Sequence, residues 1–356
     1  MEKPTPYSQL KVFAHTEKIK SLLENKVTAP VYVRIKPTNF CNQKCFYCSY
    51  SDIDEATNKE AVFTDFIEWE ILEKSLDSLA KLGTKAITFS GGGDPLCYGN
   101  IEQAFKKVLE NKMDLSIITN GVLMTESKIE YLKSAKWVRI SLDAGTKETY
   151  SKIRSVDQKS FDKIIENIKI LRRQTNDCEI GINYVIHEMN YDEIYTLAEI
   201  AKSIGCNHVK YAARILNEGF EDYHGKMKQS VMQSIEKAKS DFESSSFRII
   251  SKYEDDFEND KTNIRSYETC YVKEFTCVIA ADSKVYFCHD TAYKENFAIG
   301  SLKDQTFEDI WFSDGKIKRY TDFNCKNECV GHCVYDERNL LLNSLLSLDK
   351  NHINFI

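Results

Sequence analysis

The amino-acid sequence predicts an α/β protein: a partial (β/α)6 TIM-like barrel followed by a small C-terminal domain. Three observations carry this. Six short apolar runs alternate with charged, amphipathic helix-like runs between residues 31 and 213. The loops after several of those runs concentrate Cys, Gly and Asn, as loops at strand C-terminal ends of such folds do. Beyond about residue 265 the alternation stops, and two short strands around a turn replace it.

In chain order, HTEKIKSLLEN is a short amphipathic helix within a leader. VYVRI (31–35) is the first strand. FIEWEILEKSLDSLAKLG (66–83) is a helix closed by Gly83. AITFS (86–90) runs into GGGDP, a helix covers 100–111, and DLSIIT (114–119) is a strand. A helix over 126–135, the strand WVRISLD (137–143) and a long helix over 160–174 follow. EIGINYVI (179–186) and HVKYAA (208–213) are strands flanking a helix over 191–205. Right-handed crossovers would put the helices outside the sheet. A doubly wound sheet is the alternative, because periodicity alone does not separate the two. Residues 221–245 read as a polar helix and 254–266 as an acidic loop. CVIAADSKVYFCHD (277–290) reads as two strands turning at Asp282-Ser283, and QTFEDIWFS (305–313) as a short helix. The organisation is then 1–30 leader, 31–215 core barrel, 216–265 helical linker region and 266–356 small domain and tail.

With 356 residues, 42% of them hydrophobic, the chain can bury a full core. Its formal charge of −6 argues against coating nucleic acid, but leaves room for a local basic pocket for an anionic substrate. The start MEKPTPYSQLKVF lacks the apolar stretch of a signal peptide, and no run reaches membrane-spanning length. A cytoplasmic protein without membrane contact is expected. Twelve cysteines are many for such a chain, and in that compartment they serve metal binding or catalysis more often than disulfides.

Three of them, Cys41, Cys45 and Cys48, stand at CxxxCxxC spacing on one loop after the first strand. Three soft ligands suit an iron–sulfur cluster or zinc. Zinc would need a fourth ligand, and structural zinc favours paired CxxC knuckles. Three thiolates on one loop would leave one iron of a cubane open, as catalysis requires.

CxxxCxΦC, with Tyr47 at Φ, resembles the signature of the radical SAM superfamily, and the resemblance covers roughly 31–215. It implies a [4Fe–4S] cluster on Cys41, Cys45 and Cys48 whose open iron chelates S-adenosylmethionine. It also implies a one-electron donor such as flavodoxin or ferredoxin. The backbone near Tyr47 would lie against adenine. GGGDP resembles the family's GGEP motif, so Gly91, Gly92, Gly93 and Asp94 would grip the methionine amino group, the Asp reaching less far than the usual Glu. Ser116, Thr119 and Asn120, and Ser141 and Asp143, resemble ribose-facing positions. Arg154 resembles the arginine that pairs with the methionine carboxylate, and Asn183 and Val185 resemble fifth-strand residues beside ribose and adenine.

A second resemblance, over roughly 270–335, is to the SPASM/twitch extension that carries auxiliary [4Fe–4S] clusters. Cys270 and Cys288 fit its opening pattern, with Ser283 where the family has Gly, and CVGHC resembles its closing CxGGC. The usual CxxCxxxxxC is shortened, and no Cys follows Cys333. The resemblance therefore implies one auxiliary cluster rather than two. Its expected ligands are Cys270, Cys277, Cys288 and Cys333, with Cys325 and Cys329 able to replace two of them. His289 and His332 are conceivable ligands or hydrogen-bond partners.

Activities that this resemblance implies begin with a ribosomally made peptide or protein, modified by crosslinking, oxidation or epimerisation. The alternative is a sugar, cyclitol or nucleotide-linked small molecule. A zinc-binding structural module is the reading from another class. The first 30 residues are too short for a winged-helix peptide-recognition domain. Cys97, just after GGGDP, is the candidate catalytic thiol that would return a hydrogen atom; Cys178 and Cys206 complete the twelve. Asp290, His187, Arg214 and Glu218 are further groups that could move protons.

Overall fold

The computed structural model describes residues 6–50, 60–216, 219–260, 265–329, 333–349 and 351–352. Glu218 and His332 lie outside the described residues. Ten strands form one sheet: β1 (Tyr32–Ile35), β2 (Ala86–Phe89), β3 (Asp114–Thr119), β4 (Trp137–Ser141), β5 (Glu179–Ile186), β6 (His208–Ala213), β7 (Arg248–Ser251), β8 (Thr276–Ile279), β9 (Lys284–Tyr286) and β10 (Ala298–Ser301). Their order is β10-β9-β8-β1-β2-β3-β4-β5-β6-β7. From β8 through β1 to β7 every pairing is parallel, while β9 and β10 add an antiparallel hairpin.

Between β1 and β7 the order never reverses, whereas a doubly wound sheet reverses at its switch point. The sheet therefore winds one way, as a barrel does, and remains open between β7 and β10. Two parallel strands exceed the six expected. β7 is four residues long and hidden between charged flanks, and β8 arrives from far along the chain to pair with β1, which no local pattern announces.

The barrel helices are α1 (Thr16–Leu23), α2 (Trp69–Lys81), α3 (Ile101–Glu110), α4 (Glu126–Leu132), α5 (Lys147–Arg154), α6 (Lys159–Gln174), α7 (Ile194–Ser203), α8 (Phe220–Gly225), α9 (Lys228–Phe242) and α10 (Tyr253–Asp260). α11 (Val272–Phe275), α12 (Phe307–Trp311), α13 (Asp314–Asp322), α14 (Cys325–Glu328) and α15 (Asp336–Leu346) belong to the C-terminal part. None of the described helices is long and apolar enough to cross a membrane. α10 occupies sequence expected as an acidic loop. Tyr253 and Phe257, one turn apart, bury their rings against each other and Phe220, which holds this polar segment helical.

Along each barrel strand alternate side chains face the helices. Val33, Ile35, Ile87, Phe89, Leu115, Ile117, Val138, Ile140, Ile180 and Ile182 do so and are fully or almost fully buried with the apolar stripes of α2, α3, α6 and α7. Each such side chain contributes roughly 1.5–3 kcal/mol by burial. The intervening residues, Arg34, Thr88, Ser116, Arg139, Ser141, Asn183, Val185 and Lys210, have the opposite parity and face the lumen. The N-terminal segment lies at the strand N-terminal ends, where the Tyr7 hydroxyl is 3.1 Å from His208 Nε2. The functional end is thus the other one. In the β8–β9 turn Ser283 takes a φ of +65°, which explains why glycine is favoured there.

Candidate active site

The loop after β1 is anchored before any thiol is used. Lys36 N–H extends the ladder to Ile279 O at 2.8 Å. Lys44 N–H donates to Arg154 O at 3.0 Å and Phe46 N–H to Ile153 O at 3.3 Å, fastening the loop to the end of α5. Gly93 N–H donates to Thr38 O and Asp94 N–H to Phe40 O, both at 3.0 Å. A Cβ on Gly92 would stand 1.8 Å from Asn39 Oδ1, and one on Gly93 1.9 Å from Phe40 O. Glycine alone lets the GGGDP loop lie this close on the cysteine loop. Gly91 leaves no more room, since its Cβ would meet Gly93 O at 1.4 Å. Cys41, Cys45 and Cys48 are half-buried free thiols on this platform. Burial, reinforced by Asp94, pushes the Cys41 thiol up to about 12.

Asp94 is buried and spends its carboxylate inside the protein. Thr119 Oγ1 lies 2.9 Å from both oxygens, Asn120 N–H donates to Oδ2 at 2.6 Å, and Leu96 N–H donates to Oδ1 at 2.9 Å. The acid thereby ties the loop after β2 to the end of β3. Asn120 reaches on to the cysteine loop, its Nδ2 donating to Asn42 Oδ1 at 2.7 Å and lying 4.0 Å from Cys41 Sγ. Ser116 Oγ is 2.6 Å from Thr88 Oγ1 and donates to Ile87 O at 3.0 Å, deep between the strands. Cys97 Sγ lies 3.7 Å from Asn42 Oδ1, and burial pushes its thiol up to about 11.

On the opposite wall Asp143 accepts from Arg154 Nη2, from the Tyr47 hydroxyl and, at 2.7 Å, from Val185 N–H. Arg154 Nη2 also donates to Ser141 O at 3.1 Å. Its Nη1 donates to Cys45 Sγ at 3.2 Å and Gln43 Oε1 at 3.4 Å. Among the described residues Nε is buried without a partner, so one of its five donors is uncommitted there. Burial opposes the charge of Arg154, but Asp143, Tyr47 and Cys45 outweigh it and keep the guanidinium protonated. Asn183 is level with Ser141 on the neighbouring strand, and its backbone carbonyl accepts from Leu142 N–H at 3.1 Å. His187, fully buried beside the Tyr47 and Phe46 rings, is held neutral by burial at about 4.

Two organising residues went unread in the sequence. Gln43 joins Arg154 to the Tyr150 hydroxyl. Asn190 donates to Asp143 O and Val185 O at 2.8 and 2.9 Å. Gln43 sits inside the cysteine motif, which is a usable signal; Asn190 lies in an ordinary turn and offers none.

The second thiol group lines one pocket below the β8–β9 hairpin. Cys270, Cys288, Cys325, Cys329 and Cys333 line it together with Lys273, Asp290 and Tyr335. Cys277 does not join them. It is on the strand face shared with Val33, fully buried, and its charged neighbours are Lys316 and Lys18, which pair with Glu274. Lys273 lies beside Cys270 and Cys325, and Arg265 beside Cys329, so buried cations face the thiols. Cys277→Ala is expected to leave the iron content of the reconstituted protein unchanged, whereas Cys288→Ala should remove about four irons per chain. Iron and sulfide analysis of the two variants checks this.

The donor sets fit clusters better than single ions. Thiolates on tetrahedral zinc stand about 3.8 Å apart. Among the described residues, the one group of three ligand atoms all within 4.8 Å of one another is Cys288, His289 and Asp290. Among the described residues neither cysteine set offers three thiols that close to one another, although Cys270 and Cys325, and Cys329 and Cys333, stand within hydrogen-bond reach in pairs. Five thiols around one pocket exceed what one tetrahedral ion takes, and the first set comes with only three.

Comparison with known proteins agrees. The radical SAM superfamily model matches residues 35–201, and that of the SPASM iron–sulfur cluster-binding domain matches 270–334. A probable GTP 3′,8-cyclase of Saccharolobus islandicus is 26% identical over 179 residues, 50% of this chain and 54% of that protein. An AdoMet-dependent heme synthase of Methanosarcina barkeri is 25% identical over 179 residues, 50% of this chain and 48% of that protein. The chain thus spans about half the length of the curated relatives it matches. Streptococcus suis SuiB bound to S-adenosylmethionine superposes with a TM-score of 0.64 at 16% identity, over 94% of this chain and 79% of that one. Native anSMEcpe with bound AdoMet gives 0.59 at 18% identity, over 92% and 100%. These structural likenesses establish the shared fold.

Proposed function

We propose that this chain, which belongs to the radical SAM superfamily and carries a C-terminal SPASM iron–sulfur domain, takes a hydrogen atom from a small molecule held in the barrel lumen and oxidises it. The observation that supports this most is the placement of the two thiol groups. Three open one loop at the strand ends, and five line a pocket beside the adjoining β8–β9 hairpin. The cofactors of this family, a [4Fe–4S] cluster and S-adenosylmethionine, supply the 5′-deoxyadenosyl radical when bound.

The chain's own residues would bind and orient. Cys41, Cys45 and Cys48 hold the first cluster. Arg154 turns its free Nε–H, and the charge kept by Asp143, toward the methionine carboxylate. Asn120 and the GGGDP backbone line the opposite side. The pocket of Cys270, Cys288, Cys325, Cys329 and Cys333 holds one auxiliary cluster, the outlet for the substrate's second electron.

The sequence put a peptide or protein first among substrates. We place a small molecule first, because the curated relatives are named for GTP cyclisation and heme synthesis. A redox-neutral reaction would instead need hydrogen return, for which Cys97, protonated at neutral pH, is the candidate. Solvent deuterium in a product made in D2O would favour that course.

Anaerobic reconstitution is expected to give about eight irons per chain. Reductant and S-adenosylmethionine should then yield 5′-deoxyadenosine. Iron near four per chain would remove the auxiliary cluster, and a colourless zinc protein would overturn the assignment.

A further inference from the structure

We propose that the lumen recognises its substrate by an anionic group, a phosphate ester or a carboxylate, held between Arg34 and Lys36. The inference rests on the small-molecule reading above and adds the chemistry of recognition.

Both residues are on β1 and its extension. Val33 and Ile35 face the helices, so Arg34 and Lys36 face the lumen. Lys36 is 1% exposed, yet its direct contacts are tyrosines: Nζ donates to the Tyr50 hydroxyl at 2.6 Å and is 5.1 Å from the ring centroids of Tyr50 and Tyr293, while Asp290 and Asp282 act on it without an ion pair. An ammonium has three donors, and a single hydrogen bond is made among the described residues. Arg34 makes no ion pair among the described residues, and its Nε is buried without a partner. Across the lumen, Arg139 on β4 and Lys210 on β6 repeat the pattern. Among the described residues Arg139 Nε has no partner, and Lys210 Nζ lies 5.3 Å from the Tyr7 ring centroid with Asp256 and Asp255 as its acidic neighbours.

Other buried basic side chains have a carboxylate partner: Arg154 has Asp143, and Lys18 and Lys316 share Glu274. A buried charge costs several kcal/mol unless a partner offsets it. Among the described residues these four lumen-facing basic side chains form no ion pair, and Arg34 and Lys36 stand two residues apart on the same strand face. A ligand that brings the negative charge would complete them. Burial, with Arg34 adding repulsion, holds Lys36 down to about 7, and an anion would reverse that. The guanidinium fork of Arg34 suits two oxygens of one phosphate or carboxylate, while Lys36 adds a point charge. Lys36 also stands between the two thiol groups, five residues before Cys41 and within the field of Cys288 and Asp290. An anion gripped there leaves the rest of a compact molecule between the two sites.

The test titrates the reconstituted full-length protein with inorganic phosphate and with succinate at ionic strength matched with chloride, read by calorimetry and thermal melting. One probe is expected to saturate and raise the melting temperature. Phosphate would identify a phosphate ester, succinate a carboxylate. Arg34→Gln and Lys36→Met should each weaken that binding by about tenfold or more. If either fails to fold, Arg34→Lys keeps the charge and loses the fork, and weaker binding supports the site. No saturable binding of either probe, or unchanged binding in the variants, overturns it. In the same wild-type preparation, 5′-deoxyadenosine formation without anion binding overturns the anion site alone. Anion binding without 5′-deoxyadenosine overturns the radical reading alone.

Discussion

Replacing Cys41, Cys45 and Cys48 together by Ala is expected to reduce 5′-deoxyadenosine formation to background and to remove about four irons per chain. The fold should survive, because the loop is held by other bonds. Its backbone is fastened to Arg154, Ile153, Gly93 and Asp94, and none of these contacts involves a thiol. The second pocket stands on the β8–β9 hairpin, α14 and the chain on either side of them, so its irons should remain. Iron analysis, circular dichroism and product chromatography on one anaerobic preparation decide the matter. Persistent cleavage would detach the reaction from this loop. Loss of all iron would mean that the two sites assemble as one.

How far the sequence alone reaches is clear from particular residues. The first six strands were readable because Val, Ile and Tyr recur on their helix-facing side. β7 was not, since RIIS gives four residues with one clean alternation. α10 was not, because its helix depends on an aromatic cluster completed by Phe220. The thiol motif was readable from spacing. That Cys277 stands apart from the pocket of the other five was not, because it depends on which face of β8 the residue takes, and pairing with β1 decides that. Asp94 was singled out as a ligand for S-adenosylmethionine, while its bonds to Thr119 and Asn120 form only once β2 and β3 pair. Arg34 did leave a trace, as a charge in the middle of the apolar run VYVRI. A charged residue there is costly in an enclosed barrel strand unless it meets something.

Arg154→Met should destabilise the protein by about 3–5 kcal/mol, because it leaves Asp143 buried without its cation. Asp143 is 1% exposed and would keep only the Tyr47 hydroxyl and Val185 N–H. The melting temperature should fall by roughly 5–10 °C. Affinity for S-adenosylmethionine should fall by about ten- to a hundredfold, the worth of one charge-assisted hydrogen bond, if the free Nε–H of Arg154 takes the methionine carboxylate. Stability and affinity are separable through the double variant. Asp143→Asn combined with Arg154→Met removes both charges, so part of the lost stability should return, giving a coupling energy of about 1–3 kcal/mol. Binding of S-adenosylmethionine should not return, because no donor replaces Nε. If affinity recovered along with the melting temperature, Arg154 would be a scaffold residue. Its contacts to Cys45 and Ser141 would then account for its place, and the methionine carboxylate would need another partner. If neither recovered, the pair would act through the Tyr47 and Cys45 contacts instead, and the cysteine loop itself would be what the arginine holds.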